Sequence, residues 1–329
     1  REEVRIAEAG RAGNVKLGDA AQEPVSPIEP KKAKNLALGL FLGLFLGVSL
    51  AFFSESLDTS LKSQQDVEEY MNLPVLVSIP AINPNGATRA TKQDRKAGRS
   101  YGGRLLCHLE AGGHIYEAYR SLQTKFSFNG KHALKSILVT SPNAAEGKTL
   151  TAINIAQAFA RSGIKTLLVD CDLRHPMIHR IFGIERELGL SDVLRNKCVL
   201  IEKVAKTWAV QMRDNANLFV FPCGTLPPNP YEILNTPRMR EVLAEFKRRY
   251  DLVILDSPPL MAVTDSVVVG NEVDAVCLVI KSGKTSRDEA FRAQKLLENA
   301  QTNIIGTILN GIDVKKNGNG HYKNDYYIS

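Results

Sequence analysis

The chain has 329 residues, 44% of them hydrophobic and 23% charged, and a formal net charge of +7. This length and apolar content exclude a wholly disordered or a small disulfide-stapled protein, and allow one sizeable α/β domain plus additional segments. The basic balance lacks the interleaved aromatic and basic pattern of RNA-binding modules, so no nucleic-acid partner is expected; an anionic membrane surface or an anionic ligand accounts for it.

Residues 1–35 open with a mixed stretch, followed by Pro24, Pro27 and Pro30, which break any helix, and by Lys31, Lys32 and Lys34. The chain begins with Arg1 and is read as a piece of a longer protein. Residues 36–53 form an eighteen-residue run without a charge, the length needed to cross the hydrocarbon core of a bilayer. No small-residue cleavage site follows it, which argues against a signal peptide. Gly39, Gly43 and Gly47 repeat every fourth position, a small-residue stripe of the kind that packs membrane helices together. The lysines before the span, taken alone, would place the N-terminus on the cytoplasmic side.

Residues 54–113 read as a juxtamembrane connection, with a short acidic helix at 61–71, a short strand at 74–79 and a basic loop over 81–113. That loop suits either solvent or contact with anionic membrane lipid. A helix is expected over 117–128. The five cysteines, at 107, 171, 198, 223 and 277, include no Cys-x-x-Cys pair and read as reduced thiols.

The stretch 136–151 organises the rest. Ile137, Leu138, Val139 and Thr140 form a short buried strand, a loop follows, and Gly147-Lys148-Thr149 opens an amphipathic helix running to about Ser162. Strand, loop, Gly-Lys-Thr and helix is a phosphate-binding arrangement: loop N–H groups and the positive helix end face the anion. The residues expected to cradle a nucleotide are Asn143, Ala144, Ala145, Glu146, Gly147, Lys148, Thr149 and Leu150. Lys148 would reach the β- and γ-phosphates of ATP, and the Thr149 hydroxyl a bound Mg²⁺. The standard pattern has a further glycine where this chain has Pro142.

Two more apolar strands end in carboxylates: 167–174, with Asp170, Asp172 and Arg174, and 252–259, with Asp256. In a parallel sheet the carboxyl ends of the strands hold the ligand, and Mg²⁺ bound with phosphates takes one or two such carboxylates. Strands at 218–221, 275–280 and 304–309 are apolar throughout, as in a sheet covered on both faces, and 286–300 is a helix. The expected fold is a doubly wound, mostly parallel α/β sheet of the P-loop NTPase type, similar to MinD and ParA, preceded by one transmembrane helix. His175 and His179 lie four apart without a third ligand, and no metal site is assigned to them. The tail, residues 315–329, is rich in Gly, Asn and Lys, yet holds Tyr322, Tyr326 and Tyr327; tyrosines normally bury their rings.

The Walker A motif at 141–149, the Asp-x-Asp-x-Arg motif at 167–174 and the Walker B strand at 252–256 resemble, in order and spacing, those of the bacterial tyrosine kinases of capsule and exopolysaccharide export. Residues 117–122, 189–194, 227–234 and 306–310 resemble the same family, and the likeness covers roughly residues 24–329. It implies that 36–53 is the last span of a chain-length-determinant domain, so that residues 1–35 end an extracytoplasmic region. The kinase domain, residues 114–314, would then lie on the cytoplasmic side of the bacterial inner membrane, where ATP is. It implies an autokinase whose catalytic residues are Lys148, Asp170, Asp172 and Asp256. Thr149, Asp172 and Asp256 would serve Mg²⁺, Asp170 would engage the tyrosine hydroxyl, and Asn310 would read adenine. It further implies self-assembly through Glu117 and Arg120, although Gln123 replaces a third charged residue of that pattern. Tyr322, Tyr326 and Tyr327 would be phosphorylated by a neighbouring copy, in association with the polysaccharide export machinery. Two other readings stay open: a ParA/MinD-like ATPase switch, whose signature lysine would stand at Asn143, and a non-catalytic length regulator that binds nucleotide.

Overall fold

The computed structural model describes residues 31–81, 113–128, 134–195, 204, 209–212 and 215–313. The chain forms two compact units, residues 1–58 and 59–329. Within the first, α1 (Lys32–Leu57) extends the expected span at both ends. Its 26 residues measure about 39 Å at 1.5 Å each, enough for a hydrocarbon core of about 30 Å. The window Lys32–Phe53 has a mean hydropathy of 2.4 and none of it is buried. By length and composition this helix suits lipid rather than water.

The second unit is built on one eight-stranded sheet. In chain order it comprises α2 (Gln64–Met71), β1 (Val75–Pro80), α3 (His114–Phe128), β2 (Ser136–Thr140), α4 (Lys148–Arg161), β3 (Thr166–Asp170), α5 (Ile178–Phe182), α6 (Leu190–Arg195), β4 (Val210–Met212), β5 (Asn215–Phe221), α7 (Pro230–Leu234), α8 (Pro237–Arg249), β6 (Leu252–Asp256), α9 (Asp265–Gly270), β7 (Ala275–Lys281), α10 (Arg287–Asn299) and β8 (Ile304–Ile312). The strand order is β1-β8-β7-β2-β6-β3-β5-β4. Every neighbouring pair is parallel except β4 with β5.

The alternation of side chains along each strand builds two cores. Leu138, Leu167, Val169, Val253 and Leu255 face one core, roofed by α2, α6, α8 and α10. Ile137, Val139, Leu168 and Ile254 face the other, roofed by α3 and α4. Each fully buried Ile or Leu contributes roughly 1.5–3 kcal/mol of transfer free energy. The doubly wound, mostly parallel sheet expected from the apolar strands is therefore the fold observed.

One boundary is corrected. Residues 59–81, assigned from sequence to the juxtamembrane connection, belong to the folded unit. Leu61, Val67 and Met71 join the first core, and β1 pairs in parallel with β8. The local elements were legible, but a partner strand more than two hundred residues away leaves no mark on the sequence around β1. The helix expected from residue 117 begins at His114. Most of the basic loop at 81–113, and the tyrosine tail, lie outside the described residues.

Candidate nucleotide and phosphoryl-transfer site

β2, β6 and β3 are adjacent and end together: Val139 stands beside Asp256, and Asp256 beside Asp170. The loop between β2 and α4 sits at that carboxyl edge. Its shape rests on two residues in the left-handed region, Ala145 (φ 62°) and Gly147 (φ 97°). The left-handed backbone at Gly147 favours glycine, and a β-carbon there would lie 2.2 Å from Asn310 Nδ2, displacing that amide. The buried Glu146 closes the loop on itself: Asn143 N–H donates to its Oε2 at 2.9 Å. Thr285 Oγ1 donates to its Oε1 at 2.5 Å.

Lys148 opens α4 with its ammonium turned into a carboxylate cluster. Nζ lies 3.0 Å from Asp172 Oδ2 and 3.8 Å from Asp256 Oδ1. Burial works against the Lys148 charge, but Asp256 and Asp172 outweigh it and hold its pKa above the ordinary value. Asp172 Oδ1 accepts the backbone N–H groups of Arg174 and His175 at 3.3 and 2.9 Å. Asp170 is wholly buried, and both its oxygens are engaged by backbone: Asp172 N–H at 3.3 Å and Ile178 N–H at 3.2 Å. Burial, reinforced by Asp256 and Asp172, pushes the Asp170 pKa far up. Burial likewise raises Asp256 to about 6, against the lowering pull of Lys148 and Thr149.

Asp256 bears on the fit of a cation. It is buried, yet neither carboxylate oxygen accepts a hydrogen bond of good geometry. Buried polar atoms are nearly always satisfied. An unclaimed carboxylate facing the Thr149 hydroxyl suits Mg²⁺, which keeps waters and arrives with phosphate oxygens. Among the described residues no three His, Cys, Asp or Glu side chains form a cage that would hold a metal by themselves.

The fold therefore brings together Lys148, Thr149, Asp170, Asp172 and Asp256 from three strand ends. Asn310 also reaches the loop, where one of its two Nδ2 hydrogens is donated to the Glu146 carbonyl at 2.8 Å. Arg174 makes a two-pronged pair with the buried Asp265, at 2.8 and 3.0 Å, a structural contact at the rim. Glu117 and Arg120 lie on α3 as a partly exposed pair at 3.7 Å, and Gln123 donates to Ser162 Oγ at 2.6 Å within the chain.

Comparison with known proteins agrees with this geometry. The CobQ/CobB/MinD/ParA nucleotide binding domain family (CbiA) matches residues 137–325, and the G-rich GNVR domain matches residues 1–56. The chain is 38% identical over 212 residues to the tyrosine-protein kinase YwqD of Bacillus subtilis, covering 64% of this chain and 85% of that one. It belongs to the bacterial tyrosine kinases. It is also 32% identical over 318 residues to the tyrosine-protein kinase Etk of Escherichia coli, covering 95% of this chain but only 43% of that relative. The solved kinase domain of Etk superposes with a TM-score of 0.67 at 30% identity, covering 78% of this chain and 96% of that domain. The fold shared with that solved kinase domain is of the nucleotide-binding P-loop type.

Sequence reasoning missed Thr285 and Glu289, which hold the loop from outside, and Asp265, which holds Arg174. Only Glu289 left a signal, as the fourth residue of the Ser-x-x-Glu capping box that opens α10.

Proposed function

We propose that this chain is an ATP-dependent protein-tyrosine autokinase, anchored by α1 in the bacterial inner membrane. It transfers the γ-phosphoryl group of ATP to Tyr322, Tyr326 and Tyr327 of a neighbouring copy, and its phosphorylation state regulates polysaccharide polymerisation and export. The observation that carries the reading is the convergence of Lys148, Asp172 and Asp256 on the phosphate loop.

In the reaction, the phosphate loop cradles the phosphates and Lys148 leaves Asp172 to pair with their oxygens. Thr149 and Asp256 would hold Mg²⁺, which neutralises charge on the transferring group. The tyrosine oxygen bonds to the γ-phosphorus as the bond to the ADP oxygen breaks, and the phenolic proton passes to a carboxylate. Asp170 was the expected acceptor. With both its oxygens occupied by backbone N–H groups, the geometry favours Asp172, whose Oδ2 is released when Lys148 turns to the phosphates. The tail gains negative charge with each turnover, which repels neighbouring copies and drives disassembly. Contact with anionic lipid through the basic residues before the domain belongs to the same reading. The alternative ATPase switch is disfavoured by Asn143: it stands where that class has its signature lysine, and it hydrogen-bonds Glu289 within the chain.

The test is incubation of the full chain in detergent with labelled ATP and Mg²⁺, mapping phosphate by mass spectrometry beside Lys148→Met. Phosphate on the three tail tyrosines that is absent from the variant is the expected result. Release of free phosphate without phosphotyrosine would overturn the kinase reading in favour of the switch.

A further inference from the structure

Arg174 and Asp265 each sit on a segment that carries part of the site. Arg174 lies on the stretch after β3, two residues beyond Asp172. Its backbone N–H and that of His175 are the two donors to Asp172 Oδ1, at 3.3 and 2.9 Å. With Oδ1 held in this way, Oδ2 is the oxygen turned to Lys148, at 3.0 Å. Arg174 and His175 are both exposed, so apolar packing does not fix the backbone that presents those N–H groups.

The Arg174 side chain fixes it instead. Nε and Nη2 donate to Asp265 Oδ2 and Oδ1 at 2.8 and 3.0 Å, a two-pronged geometry that sets direction as well as distance. Asp265 is buried and opens α9, on the segment that follows β6. That segment is tied to the start of the phosphate loop: the Leu260 and Met261 N–H groups donate to the Ser141 and Pro142 carbonyls at 2.9 and 3.0 Å. Thr140 Oγ1 and Ser266 Oγ both donate to the Pro258 carbonyl. Asp265 is thus a buried carboxylate on a braced segment, and the guanidinium bound to it is held to the loop's own frame.

We propose that Asp265 is a positioning residue for the proton acceptor Asp172, acting through Arg174. The clamp joins the segment after β3 to the segment after β6, so the carboxylate that takes the phenolic proton keeps its place relative to the phosphate loop. When Lys148 turns to the phosphates, Oδ1 stays on its two N–H donors and Oδ2 alone faces the acceptor tyrosine. Without the clamp the stretch 173–175 moves, the two oxygens exchange roles on the N–H groups, and Oδ2 meets the tyrosine in only a fraction of encounters. Nucleotide binding, which uses the loop and Lys148, is left as it was. The inference rests on the reading of the chain as an autokinase with Asp172 as proton acceptor.

The experiment follows phosphotyrosine formation by the full chain in detergent against ATP concentration with Mg²⁺, with thermal unfolding recorded for each variant. Asp265→Asn keeps the shape but removes the charge that holds the guanidinium. Its maximal rate should fall about tenfold, within the roughly hundredfold that a misplacement of about 1 Å can cost. Its KM for ATP should stay within about twofold of the parent, the pattern of an interaction that serves the transition state rather than ATP binding. Arg174→Met with Asp265→Leu removes both charges together, an exchange that often leaves stability unchanged or raised. This double variant should fold and lose no more rate than Asp265→Asn, because the two residues act as one unit. A double variant with the parent rate would show that the pair serves stability alone and would overturn the proposal. A raised KM at an unchanged maximal rate, or a double variant that no longer folds, would overturn it as well. Absence of phosphotyrosine from the parent chain would instead overturn the autokinase reading, and this assignment with it.

Discussion

Asp256 is a charge that the fold holds at a disadvantage, and replacing it should stabilise the protein while disabling it. Burial raises its pKa from 3.8 to about 6. Each unit corresponds to about 1.4 kcal/mol, so keeping Asp256 ionised at pH 7.5 costs on the order of 3 kcal/mol. The native state binds more protons than the unfolded chain between about pH 4 and 6, so stability falls as pH rises through that window and stays lower above it. Asp256→Asn removes the cost while Lys148 keeps Asp172 at 3.0 Å. The variant should unfold roughly 5–10 °C higher than the parent at pH 7.5, taking about 2–4 °C per kcal/mol for a domain of this size. The gain should shrink below pH 6 and vanish near pH 4, where the parent is already neutral. The assay is thermal unfolding of both chains in detergent with a chelator and no nucleotide, across that range. A variant no more stable than the parent at pH 7.5, or a gain independent of pH, would refute the reasoning. The same variant should form no phosphotyrosine.

Two further outcomes are expected. Gly147→Ala places a β-carbon 2.2 Å from Asn310 Nδ2 at a φ of 97°, so binding of a fluorescent ATP analogue should fall at least about tenfold, since strain of this kind costs on the order of 1–3 kcal/mol; retained affinity would show that the loop adapts. Asp274 accepts the Lys135 and Ser136 N–H groups and the Lys247 ammonium; burial opposes its charge, but Lys247 and the backbone donors outweigh burial and lower its pKa. Its stabilisation is present above the unfolded carboxylate range and lost as pH falls through the folded value. Asp274→Asn should therefore lower the urea midpoint at pH 7, with the gap narrowing as pH falls below the unfolded carboxylate range, and a gap that does not narrow in acid would contradict this.

What the sequence made legible was local. Apolar runs ending in Asp marked β3 and β6, and an apolar run leading into the Gly-Lys-Thr loop marked β2, because a buried parallel strand is apolar along its length and its carboxyl end meets the ligand. Gly-Lys-Thr marked the loop, because few residue types fit a backbone wrapped on an anion. What it hid was pairing across distance. Nothing near Arg174 announces Asp265, ninety-one positions later, and nothing near Glu146 announces Thr285. The short strand β4 was invisible for another reason. Val210 and Gln211 are exposed at the sheet edge, so no apolar alternation was required of them.

The pairing of β1 with β8 has a consequence for how the acceptor is delivered. Ala81 N–H donates to the Ile312 carbonyl at 2.9 Å, so the last strand ends on the same edge of the sheet as the phosphate loop, two strands from β2. Nine residues lie between Ile312 and Tyr322, a tether that spans at most about 35 Å when extended. For the proposed transfer to a neighbouring copy, a tail of this length reaches the other copy's site only when the two strand ends lie within about that distance. Supply of acceptor in that proposal is therefore set by how closely copies cluster.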